Sequence, residues 1–296
     1  MRFAEIGQQL RQYRLESGLR AEEIAARLGV SRAALYRYEK GEVIKLDTIK
    51  RLAELLKISP LSLLGIGVEY LPRAAVYFER IRQLEESADQ VLQAFGPLNY
   101  LVTTEAFDSA LAEAFADAAD RAEGDRAALR AQGEQVLNIL AARKRVYQAR
   151  RPSIIAILCA ESLKHFVGQG VAGQMPLSER VRDRCRQAAL AEAENIALLM
   201  EAEPMGVQFG VMDGAEPNGN FKLLRNRERA VLAINPFRLA AHPGQATGVA
   251  LVTAAEDAIA LHQRVAEQQW RDAQKGPAAA RAVRALMADA RVPQPA

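Results

Sequence analysis

The stretch "LGVSRAALYRYEKGE" (Leu28–Glu42) constrains the fold more than any other part of the chain. Before it, "AEEIAARLG" (Ala21–Gly29) places Ile24, Ala25 and Leu28 on one face of a helix and ends on a glycine. Gly29 can take the positive φ that a tight interhelical turn needs. Ser31 is positioned to cap the next helix, Leu35 to anchor it in a core, and Val30 to bury between the two. Ala25 is small enough for close helix contact. Two helices joined this tightly form a helix-turn-helix, in which the second helix projects outward while the first packs across it.

That geometry turns Arg32, Ala33, Tyr36 and Arg37 to solvent and Ala34 inward. Arginine can engage guanine through two hydrogen bonds, and alanine can pack on a thymine methyl group. Arg32 and Arg37 are therefore the candidate base readers and Ala33 a candidate apolar contact. Tyr36 is placed for a sugar or phosphate.

The first 66 residues are expected to form one all-helical unit. Phe3, Ile6, Leu10 and Tyr13 recur at helical spacing, and Gly18 ends that helix. "LDTIKRLAELLKI" turns Ile49, Leu52, Ala53 and Leu56 inward. "SPLSLLG" closes a set of five helices, with Ser59 as cap and Pro60 in the first turn. Residues 67–73 read as a Gly/Pro-framed linker. Residues 74–150 read as helical, with segments at Ala74–Phe95, Thr104–Arg121 and Asp125–Arg150, and the first and last of these are candidates for a dimer interface.

After "ARRPS" the pattern changes. "SIIAILCA" (Ser153–Ala160) has the isoleucine-rich run of a buried strand, and a long helix is expected over Ser178–Glu201. "GVQFGVM", "NFKLLR", "AVLAINPF" and "GVALVT" are short extended runs separated by turn-formers, and "LLRNRERAVL" suggests a hairpin. "TAAED" (Thr253–Asp257) has the spacing of a capping box opening a helix that runs past Trp270 to Gly276. Residues 151–276 are expected to form an α+β sensor domain, and 277–296 a tail with a short helix and a Pro-rich end.

Charge separates the two ends of the chain. Residues 1–65 hold 12 Lys/Arg against 8 Asp/Glu, a net +4, so with +3 overall the remainder carries about −1. Such asymmetry is a mild pointer to a nucleic-acid partner for the N-terminal part. No apolar run approaches the roughly 20 residues needed to cross a bilayer. The N-terminus lacks the apolar core of a secretory signal, so the cytoplasm is the expected compartment and no membrane partner is expected.

The chemistry-bearing residues point away from catalysis. Cys159 and Cys185 lack CxxC spacing, and His165, His242 and His262 share no metal-ligand spacing, so no metal or cofactor is expected. GxSxG and Walker motifs are absent. His262 lies beside an apolar stripe and reads as a half-buried core residue. Glu161, after a strand, is either a ligand-facing carboxylate or a helix-capping or salt-bridged residue.

The run "IGQQLRQYRLESGLRAEEIAARLGVSRAALYRYEKGE…LDTIKRLAELLKISPLSLL" resembles the Xre/Cro/CI family of bacterial and phage repressors, whose DNA-binding unit is the five-helix lambda-repressor-like domain. The resemblance implies an ion pair between Arg14 and Glu39 that ties the first helix to the third. It also implies base contacts from Arg32, Ala33, Tyr36 and Arg37, and places Lys40 and Lys45 near phosphates. Two positions depart from the family pattern. "RA" (Arg20, Ala21) replaces the common Thr-Gln pair, so Arg20 stands in for the phosphate contact while the glutamine brace is lost, and Lys45 replaces the usual serine cap of helix four.

From Val136 to Phe237 the chain is similar to the C-terminal domain that follows the helix-turn-helix in many actinomycete Xre-type regulators. The shared features are an arginine-rich helix, a strand, Glu161, Leu163, Val167 and Gly168, then "VQFGV"-like and "FKLL" strands. The effector-binding residues stay unassigned. The expectation is a multidomain chain: a helix-turn-helix head that binds double-stranded DNA as a homodimer, and a larger helical and α+β part that senses a small molecule or protein. An antitoxin-like or scaffold protein, whose large domain holds a protein partner and whose head autoregulates its operon, is the alternative.

Overall fold

A computed structural model of the chain describes residues 3–17, 19–56, 60, 67–214 and 219–291. The chain divides into two units, Met1–Glu69 with Val252–Ala258 and Tyr70–Leu251 with Ile259–Ala296.

In the first unit α1 (Phe3–Ser17), α2 (Ala21–Leu28), α3 (Arg32–Glu39) and α4 (Leu46–Leu56) enclose one apolar core. Leu10, Ile24, Leu35 and Leu52 are completely buried at its centre. These are the positions that helical spacing turns inward, and their burial offsets the ordering of four short helices that would be marginal alone. Val30 is half-buried rather than enclosed. Gly18, the side chain of Phe3 and the expected fifth helix, apart from Pro60, lie outside the described residues.

The second unit is built on a mixed sheet, although Val68–Glu69 and Val252–Thr253, parts of two of its strands, are assigned to the first unit. The eight strands run in the order β1 (Val68–Leu71), β7 (Ala250–Thr253), β6 (Ala230–Ile234), β5 (Phe221–Arg225), β2 (Gln90–Ala94), β3 (Ser153–Cys159), β4 (Val207–Met212) and β8 (Gln274–Lys275). β2 pairs in parallel with β3 and antiparallel with β5, and β3 pairs in parallel with β4. Parallel neighbours need helical crossovers. These are supplied by α6 (Glu105–Arg121) and α7 (Arg126–Arg150) between β2 and β3, and by α8 (Ala160–Gln169) and α9 (Glu179–Ala202) between β3 and β4.

Local signals set the element ends. Thr104 caps α6 and Asp125 caps α7, each accepting from the backbone N–H three residues on. Arg151 takes the left-handed conformation (φ 50°) and Pro152 follows, which stops α7. The expected β5–β6 hairpin forms in the register Arg225↔Ala230, and the Asn226 side chain accepts from the N–H groups of Glu228 and Arg229.

Several boundaries differ from expectation. The segment Ala74–Phe95 is not one helix: α5 (Ala74–Glu85) stops and Gln90–Ala94 form β2. Because β2 lies between β3 and β5, residues 74–150 and all of 151–276 except Val252–Ala258 fall in one unit rather than in a helical segment and a separate sensor domain. The linker 67–73 contains β1. Thr253 ends β7 instead of capping a helix, and its Oγ1 accepts from the Ala255 N–H.

The following helix, α10 (Glu256–Asp272), stops before Gly276, and β8 intervenes. The tail is mostly α11 (Gly276–Arg291), which packs on α9; there Arg284 pairs with Glu194 and Glu201. Its five-residue Pro-containing end lies outside the described residues. The helices expected to form a dimer interface pack against each other within the chain: α5 meets α7, where Glu85 pairs with Arg143, and Ile81 and Leu140 are buried on them.

Candidate nucleic-acid interface

The turn between α2 and α3 has the predicted construction. Gly29 sits at φ 68°, its N–H donates to the Ala26 carbonyl, and the Val30 N–H reaches the Ala25 carbonyl at 3.0 Å. Ser31 caps α3, its Oγ accepting from the Ala34 N–H at 3.1 Å. Ala25 and Leu35 are buried, and so is Ala34, as its inward position requires.

Two contacts hold the far end of α3 against α1. The Arg14 guanidinium donates to both carboxylate oxygens of Glu39, with Nη2 3.1 Å from Oε2. The hydrogen bond to Glu39 raises the Arg14 pKa, against a lowering by burial. Gly7 lets the helix backbones meet, since a Cβ there would lie 2.6 Å from the carbonyl oxygens of Tyr38 and Glu39. Sequence reasoning found the ion pair through family resemblance and missed Gly7, which sits inside a helix with no turn to mark it.

The outward face of α3 carries Arg32, Ala33 and Arg37, all exposed, with Tyr36 half-buried between them. Arg32 donates to the Tyr36 hydroxyl at 3.3 Å, lies 5.4 Å from the centre of its ring, and pairs with Glu22 of α2 at 2.7 Å. The hydrogen bond to Tyr36 leads the causes that raise the Arg32 pKa, followed by the Glu22 charge. Arg37 faces Glu42 at 3.4 Å. Both ion pairs are open to water, so phosphate or guanine can displace the carboxylates at small loss. Glu22–Arg32 also links α2 to the recognition helix, as the absent glutamine was expected to do.

The remaining sites fall around this face. Lys40 ends α3 and is exposed, as is Lys45, whose carbonyl accepts from the Ile49 N–H to start α4. Arg20 precedes α2 and is exposed; its backbone N–H donates to Glu23 Oε2 at 3.0 Å.

The second unit holds a cavity of about 590 Å³ lined by α5, α6, α7, α8 and the ends of β2, β5 and β6. Arg143 of α7 and Glu85 of α5 meet at its wall in a two-point ion pair, 2.9 and 2.7 Å, with both side chains essentially inaccessible. Burial opposes the Arg143 charge, yet Glu85 more than compensates and raises its pKa. Glu161 is not in the lining: it is partly exposed in the first turn of α8 and faces His165 at 3.5 Å. His262 packs edge-on against Phe221 at 4.8 Å and is half-buried, as its apolar stripe implied.

His242 is buried beside Phe115, which lowers its pKa. Cys159 and Cys185 are free and buried. Among the described residues no group of three or more His, Cys, Asp and Glu is arranged to hold a metal ion, and no helix is long and apolar enough to cross a membrane.

Comparison with known proteins agrees with the construction of the first unit. Residues 5–63 match the family model of a helix-turn-helix domain. The N-terminal part of the chain is such a domain. No curated protein matches the chain. Among solved structures, TrmBL2, described as an archaeal chromatin protein with a novel mode of DNA binding, aligns at 10% identity and a TM-score of 0.32. The alignment covers 77% of this chain and 61% of that one.

Proposed function

We propose that the chain is a sequence-specific transcriptional regulator of the Xre/Cro/CI type that acts in the cytoplasm by binding rather than catalysis. It binds a palindromic operator as a homodimer, and its sheet unit senses an effector. One observation carries this reading: in a helix-turn-helix whose α3 is locked by Arg14–Glu39, the side chains left on the outward face are Arg32, Ala33, Tyr36 and Arg37. Two arginines flanking a methyl group form a donor and apolar pattern suited to base edges in the major groove. Two such faces on a symmetric dimer read half-sites about one helical turn apart.

Selection of the full-length protein from a randomised duplex library tests this. The expected result is two inverted half-sites spaced by roughly 10 base pairs. Arg32→Ala and Arg37→Ala are each expected to abolish preference at a single position per half-site, with about tenfold or greater loss of discrimination there. A preserved motif in both variants would reject the assignment of the readers.

A further inference from the structure

The cavity of the second unit carries a chemical signature. It lies where β2 and β3, a parallel pair, end: Phe95–Leu98 follow β2, and Ser162 opens α8 just after β3. Carboxyl ends of parallel strands are where open α/β sheets bind ligands. Its volume of about 590 Å³ suits a molecule of one or two rings. Tyr77, Phe78, Phe95, Tyr100, Phe107 and Phe237 supply aromatic walls.

The charge balance is one-sided. No aspartate or glutamate is in the lining. Arg143 is neutralised by Glu85. Lys222, on β5 opposite Gln93 and Ala233, lines the cavity, and its ammonium makes no hydrogen bond or ion pair among the described residues. Two lining residues also carry an unmatched polar atom: the enclosed hydroxyls of Tyr77 and Ser162, residues only 1% and 5% exposed, have no hydrogen-bond partner among the described residues. Gln93, by contrast, donates to the Leu98 carbonyl, and Asn235 donates to that of Phe237. An unpaired, half-buried ammonium in a lining without a carboxylate marks a surface suited to an anion, and the enclosed Tyr77 and Ser162 hydroxyls beside it are polar groups that no described residue satisfies.

We propose that the cavity binds an aromatic carboxylic acid, with its carboxylate paired to the Lys222 ammonium and its ring held between the aromatic walls. With the Arg143 fork taken by Glu85 and Arg238 exposed, the single Lys222 ammonium matches a singly charged carboxylate better than a phosphate, which draws more charged donors. The role of this ligand as effector rests on the regulator reading above; its binding does not.

Proton linkage gives a second signature. Burial lowers the Lys222 pKa to about 7, with the Arg143 charge acting in the same direction and Glu85 against it. Tyr77 and Tyr100 stay protonated, because burial raises both. The other titratable groups of the lining are His165 and the exposed Arg238. A bound carboxylate favours the ammonium, so binding takes up a proton above pH 7 and weakens as pH rises further.

Isothermal titration of the full-length protein with 2-naphthoate, naphthalene-2-carboxamide and octanoate tests the proposal. At pH 6.5 we expect 2-naphthoate to bind at least about tenfold more tightly than the neutral amide and more tightly than octanoate. At pH 8, two buffers of different ionisation enthalpy are expected to reveal proton uptake. Lys222→Gln and Lys222→Met remove an unpaired, half-buried charge and so are expected to fold, which circular dichroism checks, while losing both the carboxylate preference and the proton uptake.

Equal affinity for acid and amide, a preference that survives in folded Lys222 variants, or no binding of 2-naphthoate would overturn the assignment. Octanoate binding as tightly as 2-naphthoate would overturn its aromatic half. These measurements contain no DNA. Carboxylate binding without operator selection would therefore defeat the regulator reading alone, and operator selection without carboxylate binding would defeat the ligand assignment alone.

Discussion

Replacing Arg143 with methionine is expected to lower the stability of the full-length protein by about 3–5 kcal/mol, the usual consequence of stripping one partner from a buried ion pair. Arg143 and Glu85 have side chains 2% and 1% exposed, and the guanidinium meets both carboxylate oxygens. With the arginine gone, Glu85 is left as a buried carboxylate without its two donors. Adding Glu85→Gln to Arg143→Met removes the stranded charge and is expected to recover much of the loss, so the two changes are strongly non-additive. Urea unfolding of wild type, Arg143→Met, Glu85→Gln and the double variant measures the coupling. A single variant as stable as wild type, or strict additivity, would contradict the buried-pair account.

Arg14→Ala is expected to destabilise the helix-turn-helix unit by about 2–3 kcal/mol, somewhat less than full burial would give. Arg14 is 12% exposed and Glu39 5%, and the pair holds α3 to α1 beside the close approach at Gly7. In a unit of this size, total stability is on the order of 3–10 kcal/mol, so the change is a large fraction of it. Arg14→Lys keeps the charge but not the two-pronged geometry and is expected to fall in between. Hydrogen exchange of the α3 amides in the full-length protein is the direct readout. Wild-type protection in Arg14→Ala would show that Glu39 does not depend on its partner.

The head was legible because its signals are local. Gly29, Ser31 and the spacing of Ile24, Leu28 and Leu35 lie within a dozen residues and each has one physical meaning. The strands after residue 151 were legible for the same reason, as short apolar runs between turn-formers. β2 was not, because "QVLQAF" fits the tail of the preceding helical period as well as a strand, and only pairing with β3 and β5 decides it. That single misreading split one unit into two segments.

The cavity lay beyond sequence reasoning for a different reason. Arg143 and Glu85 are 58 positions apart, and Lys222 is further still along the chain. No periodicity ties these residues together before the sheet forms. Glu161, which the sequence left as either a ligand-facing carboxylate or a capping or salt-bridged residue, is partly exposed and faces His165, while Ser162 beside it is the residue that lines the cavity.

The central claim is that α3 reads DNA sequence. Its most direct test incubates the full-length protein with sheared genomic DNA at about 150 mM salt, fixed because phosphate contacts make affinity steeply salt-dependent, and sequences what is retained. The account predicts enrichment of a palindromic site near a small set of promoters by the wild-type protein, and its loss in the Arg32→Ala/Arg37→Ala double variant while non-specific retention persists. No enriched site, or the same site enriched by both proteins, would contradict it.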